Sequence, residues 1–299
     1  MIKGTAIPVN HQPLDRLHQS PWQRLRHDRW GLIGMAIVAV YGLMATGVWW
    51  GWWGTDWSAI SADFYAPASW DHWLGTNAIG QDIAARGLFA TRVAFEVGLV
   101  VAVLATGLGV LMGALAGFFS GTWLDALILW LMGVLDAIPF YLFVAALAYA
   151  LQGHPLAMHI AMTLTFWTQV GRIIRAEVMV LKHMTFAEAA RAMGLRPLHI
   201  LWRHVLPNTS HLITIQATLV FVAAIKTEVI LSFLGLGIQQ GISWGLMLSE
   251  SVNDIQAGYF NNFMAASGLL FILIIAFNFF SDALQDALDP KMNGAHELN

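Results

Sequence analysis

Long apolar runs alternate with short polar stretches along this chain. Six runs stand out: Trp30 to about Trp53, Val93 to Phe119, Trp123 to about Leu151, Leu156 to about Leu181, Leu212 to about Leu236, and Phe263 to Phe280. Roughly 20 apolar residues in a helix cross a hydrocarbon core of about 30 Å. The pattern therefore predicts an all-α membrane protein with six transmembrane helices. Trp49, Trp50, Trp52 and Trp53 would form an aromatic belt at the far end of the first helix. Pro139 is a kink candidate within the third. Gly109, Gly113 and Gly117 repeat at every fourth residue in the second, a spacing that lets helices pack closely in lipid. Residues 54–92 carry Asp56, Asp63, Asp71, Asp82 and Pro67 and read as a folded extramembrane excursion between the first two helices. Residues 237–262 read as polar and irregular.

The densest polar stretch between apolar runs is Thr185 to Asn208, TFAEAARAMGLRPLHILWRHVLPN. Thr185 followed by Glu188 predicts a capping box, and the alanines after it favour helix. Gly194 marks a helix end, and Pro197 starts a second short helix running to about His204. Phe186, Ala190 and Met193 would form one apolar stripe. Such a stripe outside the membrane is buried either on the bilayer and its own protein or against a partner.

Composition fits this picture. Of the residues 58% are apolar and 11% charged, against roughly 25% charged in soluble domains. The mean hydropathy is +0.62. A net charge of −3 excludes nucleic acid as a natural partner, and the absence of cysteine excludes disulfides and thiolate chemistry. The polar N-terminus has Pro8, Pro13 and Pro21 and is not a cleavable signal. Within it, Leu14 to Arg29 reads as an amphipathic interfacial segment or as a basic flank that sets topology.

Charge fixes an expected orientation. Lys3, Arg16, Arg24, Arg26 and Arg29 precede the first helix, Arg172, Arg175, Lys182, Arg191, Arg196 and Arg203 surround the loop after the fourth, and Lys291 lies in the tail. The other side shows only Arg86 and Arg92. The positive-inside rule makes both termini and the Thr185–Asn208 loop cytoplasmic.

No GxxxxGKS/T phosphate loop, HExxH zinc motif or GxSxG elbow is present, so no catalytic residue, metal site or cofactor is expected. His154 and His159 are too scattered for a metal site and suit interfacial positions. Asp136, Lys226 and Glu228 fall within apolar runs, where a charge costs roughly 2.5–3.5 kcal/mol or more. They line a translocation path or form a structural ion pair, with Lys226 against Asp136 or Glu228. Asp125 suits a helix N-terminus.

Several motifs carry a resemblance. Glu188-Ala189-Ala190, Gly194, His204 and Leu206-Pro207 resemble the EAA loop of ABC importer permeases. HWLGTNAIGQDIAARGLFATRV from His72, LPNTSHLITIQATL from Leu206, LSFLGLG from Leu231, SWGLMLSE from Ser243 and FNFFSDALQDALDP from Phe277 are similar to segments of one branch. That branch is the second permease subunit (OppC/DppC type) of dipeptide, oligopeptide and nickel ABC importers. The chain departs from it at Asn77 (usually Asp), Gln81 (usually Arg), Trp130 and Gly133 (usually Arg and Asp), and at Asp136 and Lys226, where apolar residues are usual. The proline-rich element before SWG is reduced to Gln239-Gln240-Gly241-Ile242.

The resemblance implies the type I ABC importer permease fold. Residues 1–29 would be a cytoplasmic N-terminal segment, 30–53 the first helix, 54–92 the extracytoplasmic excursion, 93–282 the core permease domain with its EAA coupling loop at 183–207, and 283–299 a cytoplasmic tail. It implies a multi-pass protein of the bacterial inner membrane, a non-catalytic subunit of an ATP-driven peptide importer. Implied partners are a homologous permease forming a heterodimer, two cytosolic ABC ATPase subunits, an extracytoplasmic solute-binding protein and the lipid bilayer. Implied coupling residues are Thr185, Glu188, Ala189, Ala190, Arg191, Gly194, His204 and Pro207. Nickel chelates or antimicrobial peptides as cargo, and an ion-driven secondary transporter, are the competing expectations.

Overall fold

The computed structural model describes residues 28–151, 154, 156–237 and 241–288. Among them the order is α1 (Arg29–Trp49), α2 (Ile83–Phe118), α3 (Trp123–Asp136), α4 (Phe140–Ala150), α5 (Ala157–Leu181), α6 (Thr185–Ala192), α7 (Pro197–Ile200), α8 (Ser210–Phe233), α9 (Trp244–Gln256) and α10 (Asn261–Leu288). The described residues include no β-strand, only the isolated bridges Ile60–Gln81 and Thr76–Asp82. Most of the segment Leu14–Arg29, part of the turn before α5, Gln239-Gln240 and the tail with Lys291 lie outside the described residues.

Four helical stretches are long and apolar enough to cross a membrane: α1, α2, the continuous run Pro197–Phe233 and α10. The expected third span makes a fifth only if α3 and α4 are taken together, because the chain turns by 90° between them. Pro139 explains the break. It has no N–H to continue the helix, so the Ala137 amide bonds back to Gly133 and the next turn restarts with Phe143 N on Pro139 O, each at 3.0 Å. The expected fourth span is α5. It has the length but not the apolar composition, carrying His159, Gln169, Arg172 and Arg175. Protein surrounds much of it instead of lipid, and its pairing with α2 is the most extensive in the fold.

Other boundaries moved for local reasons. Asp82 caps α2 by accepting from Ala85 N at 2.8 Å, so α2 starts ten residues before its apolar run. Its 36 residues make a rod of about 54 Å at roughly 1.5 Å per residue. The run from Pro197 to Phe233 does not break after His204. A wide π-type turn at Leu201–Val205 and a tight 3-10 turn at Leu206–Thr209 absorb Pro207 and keep the rod continuous. The stretch 237–262 contains the helix α9. Ser243 Oγ accepts from Leu246 N at 3.3 Å to start it, and Gly258 with φ +90° ends it.

The glycine stripe of α2 lies against α5. A Cβ at Gly109 would meet Trp167 O at 2.8 Å, one at Gly113 would meet Gly171 O at 2.4 Å, and one at Gly117 would meet Arg175 O at 2.6 Å. Backbone therefore touches backbone, and dispersion and weak C–H···O contacts do the work that apolar burial does in water. Contacts advance in the same sense on both helices, so α2 and α5 run parallel. At the end where α2 begins, Trp244 Nε1 donates to Gly87 O at 3.2 Å and Tyr41 Oη to Leu269 O at 3.0 Å, tying α1, α2, α9 and α10 together.

Candidate functional site

The loop after α5 folds as a protrusion at the end of the bundle where α2 stops. Two tight turns, His183 N on Val180 O and Met184 N on Leu181 O, each 3.1 Å, lead directly into α6. They put Met184 in extended conformation as the residue before the helix, and Ala187 N and Glu188 N both bond to its carbonyl at 2.9 and 3.1 Å. Thr185 is thus already helical, and the expected capping box with Glu188 is not formed. The other end follows expectation. Gly194 has φ +76°, its N–H reaches Arg191 O at 2.9 Å, and Leu195 N reaches Ala190 O at 3.3 Å. This pair of bonds is the Schellman closure, and the left-handed residue it needs is glycine.

The faces of α6 divide differently from the predicted stripe. Ala187 and Ala190 are buried and pack into the core with Ile200, Leu201 and Val205. Phe186 and Met193 face outward, with Met193 71% exposed, and Met184 joins them. Ala190 therefore anchors the helix while its former stripe partners are displayed. Thr185, Glu188, Ala189, Arg191 and Gly194 are exposed. Beyond the protrusion, His204 and Pro207 line an open hollow with Arg196, Leu198, His199, Trp202 and Arg203. That lining carries Arg196 and Arg203 and no carboxylate, so the hollow is cationic.

Beneath α6 lies a polar joint that the sequence did not reveal. Lys182, directly after α5, is only 8% exposed. Its Nζ donates to Gly117 O and Phe118 O at 3.1 Å each and to Ser120 Oγ at 2.6 Å. It satisfies two orphan carbonyls at the negative end of α2. Burial pushes its ammonium below the ordinary lysine value. Arg191 Nη2 of α6 donates to Lys182 O at 2.7 Å. Two turns deeper, Arg175 donates through Nε and Nη2 to Asp125 Oδ1 and Oδ2 at 2.7 and 2.9 Å. Asp125 Oδ2 also accepts from Gly121 N at 2.9 Å. The bland reading of Asp125 as a helix-start residue understates it: it bridges the α2–α3 turn to α5. In the sequence Lys182 and Arg175 read only as positive charges, because nothing local marks a lysine that caps a helix 65 residues away.

The three ionisable residues within the apolar runs do not meet. Asp136 Oδ2 accepts from Arg172, and Asp136 Oδ1 accepts from Thr168 Oγ1 at 2.9 Å. The pair clamps the corner between α3 and α4 onto α5. Glu228 is 1% exposed and accepts from Ser232 Oγ one turn along α8. Lys226 is exposed on the other side of α8 and pairs with neither carboxylate. The expected Lys226 pair, with Asp136 or with Glu228, is absent: two positions apart on one helix, Lys226 and Glu228 face nearly opposite ways, and Asp136 is paired with Arg172 instead.

At the opposite end, residues 50–82 fold on side-chain hydrogen bonds. Asn77 Oδ1 accepts from Gln81 N at 2.9 Å, and Gln81 Nε2 donates to Ser58 O at 3.1 Å. Asn77 and Gln81, two of the departures noted above, thus hold one turn together. Tyr65 stacks flat on Tyr259 at 3.8 Å and donates to Asp254 Oδ1 at 3.0 Å, while Asn262 donates to Asp254 Oδ2 at 3.1 Å. Arg86 of α2 pairs with Glu250 of α9. This segment exposes Phe64, Trp70 and Trp73, Trp70 at 95%.

Residues 109–294 match the family described as binding-protein-dependent transport system inner membrane component. The chain is 33% identical over 279 residues to the dipeptide transport system permease protein DppC of Bacillus subtilis, covering 92% of this chain and 86% of the relative. It is 33% identical over 292 residues to the oligopeptide transport system permease protein OppC of the same organism, covering 97% and 94%. It is 35% identical over 227 residues to OppC of Mycobacterium tuberculosis, covering 75% and 77%.

Proposed function

This chain belongs to the family of binding-protein-dependent transport system inner membrane components, and from that membership we propose that it is a permease subunit of an ATP-driven peptide importer. It forms the translocation path with a homologous permease. It docks on a pair of cytosolic ATPases through α6, and it receives cargo from an extracytoplasmic solute-binding protein. Both termini and α6 are cytoplasmic, and residues 50–82 are extracytoplasmic.

One observation carries this reading. α6 is secured on its inner side by Ala187 and Ala190 and by its glycine closure, yet it displays Met184, Phe186 and Met193. An apolar side held out on a rigid stub is an anchor for a pocket on another protein. Closure of the ATPases on ATP moves α6, and α6 moves the spans. Lys226, exposed on α8, lines the path together with the Asp136–Arg172 pair, while Glu228 supports the α8–α9 packing. The chain itself performs no chemistry and holds no nucleotide.

The test is purification of the chain in mild detergent from its native host, with mass spectrometry of what accompanies it. A second permease and ATPases are expected, and uptake of peptides into proteoliposomes should require ATP. Uptake driven by an ion gradient without any ATPase would sink the proposal, as would labelling of a cysteine at position 193 from the outer side.

A further inference from the structure

Lys182 sits where the displayed helix, the α5 that precedes it and the end of α2 come together. Its ammonium holds the last carbonyls of α2 and Ser120 of the α2–α3 turn, and its own carbonyl is held by Arg191 of α6. The same turn is gripped from its other side by Asp125, which Arg175 of α5 fixes in turn. Gly117 is in backbone contact with Arg175 at this level, so α2 and α5 have no slack there. We propose that Lys182 is a positioning residue of the transport cycle, the joint through which displacement of α6 reaches α2 and α3.

The physical case rests on the alternatives open to α6. Its apolar anchoring consists of two alanines, Ala187 and Ala190. Their contacts hold α6 against the core but are non-directional, so they do not by themselves set which atom a tilt of α6 displaces. Hydrogen bonds are directional and short, so they convert a tilt of α6 into a pull on a defined atom. The pull on Lys182 O passes along one side chain to Gly117 O and Phe118 O. Those atoms end a 36-residue helix, and a tilt at its foot is amplified at its far end, beside Arg86 and Glu250. Replacing the ammonium by an apolar group leaves two helix-terminal carbonyls without their donor and separates the two halves of the joint.

This inference rests on the proposed docking of α6, and the experiment separates the two. The complete complex is reconstituted in proteoliposomes with its solute-binding protein. A pool of isotope-labelled di- to pentapeptides is supplied, and uptake and ATP hydrolysis are measured together. For Lys182→Met, co-purified ATPase is expected to stay at the wild-type ratio. Peptide imported per ATP should fall about fivefold, the size of effect that breaking a coupling contact brings. Lys182→Arg, which keeps donors and charge, should restore most of it. If Lys182→Met fails to insert, Ser120→Ala removes one of the three acceptors of the Lys182 ammonium away from α6, and a fall of about twofold per ATP at unchanged ATPase content is expected. A wild-type ratio of import to hydrolysis in an assembled Lys182→Met or Ser120→Ala complex overturns the joint. Absence of ATPase from the wild-type preparation overturns the docking instead.

Discussion

Gly113 and Gly171 meet backbone to backbone: a Cβ on Gly113 would stand 2.4 Å from the carbonyl oxygen of Gly171 and 2.9 Å from its Cα. Neither atom belongs to a side chain that can rotate away. Gly113→Ala must therefore push α2 from α5, at a cost of roughly 1–3 kcal/mol for an overpacked contact. The melting temperature in detergent should fall accordingly. Gly107, with nothing within 4 Å of its added Cβ, is the control, and Gly107→Ala should leave melting unchanged or slightly raised.

Gly194 has open space around it, so its constraint is conformational rather than steric. Gly194→Ala should strain the closure of α6 by roughly 1–2 kcal/mol. Hydrogen exchange at the Leu195 amide would quicken by about an order of magnitude, and retention of ATPase would fall. Gly194→Pro, with φ confined near −65°, should abolish the closure while the protein still inserts.

Arg175 and Asp125 form a two-bond pair that is nearly shielded on the aspartate side. Removing one partner of such a pair costs roughly 3–5 kcal/mol when burial is complete, and the one-fifth exposure of Arg175 places this pair toward the lower figure. Arg175→Leu should lower the yield of folded protein and its melting temperature. The double variant Arg175→Leu with Asp125→Leu should recover part of the loss, which thermal melts of both will decide.

Lys226 has no ion-pair partner among the described residues, and its substitution separates two surroundings. If it lines the path, Lys226→Met lowers peptide uptake while assembly and melting stay unchanged. Raised thermal stability with unaltered uptake would mean that the side chain had faced lipid, since a lone charge there costs roughly 2.5 kcal/mol or more.

Tyr65 links residues 50–82 to α9 through one hydrogen bond and one stacked ring. Tyr65→Phe keeps the ring and should cost about 0.5–1.5 kcal/mol locally. Tyr65→Ala removes both and should expose the segment to protease nicking several times faster, at unchanged stability of the helical bundle.

Periodicity and composition by themselves determined the helical, membrane-embedded character of the chain, the close-packing role of Gly109, Gly113 and Gly117, and the helix end at Gly194. These properties depend on neighbours a few residues apart: a glycine every fourth position lies on one helix face in any surroundings, and a left-handed residue after an alanine helix closes it. The break at Pro139 was readable in position but not in angle, because proline removes one bond and the packing of α3 and α4 on α5 sets the turn.

Tertiary structure decided the partners. Thr185 lost its capping role to Met184 because the turns leaving α5 set where the helix begins. Asp136 took Arg172 rather than Lys226, since charges within a run choose by distance in space. Lys182 became a cap for α2 only because parallel packing of α2 and α5 carries both ends to the same level. Local pattern specifies which elements form, whereas a hydrogen bond between residues dozens of positions apart exists only once helices have chosen their neighbours.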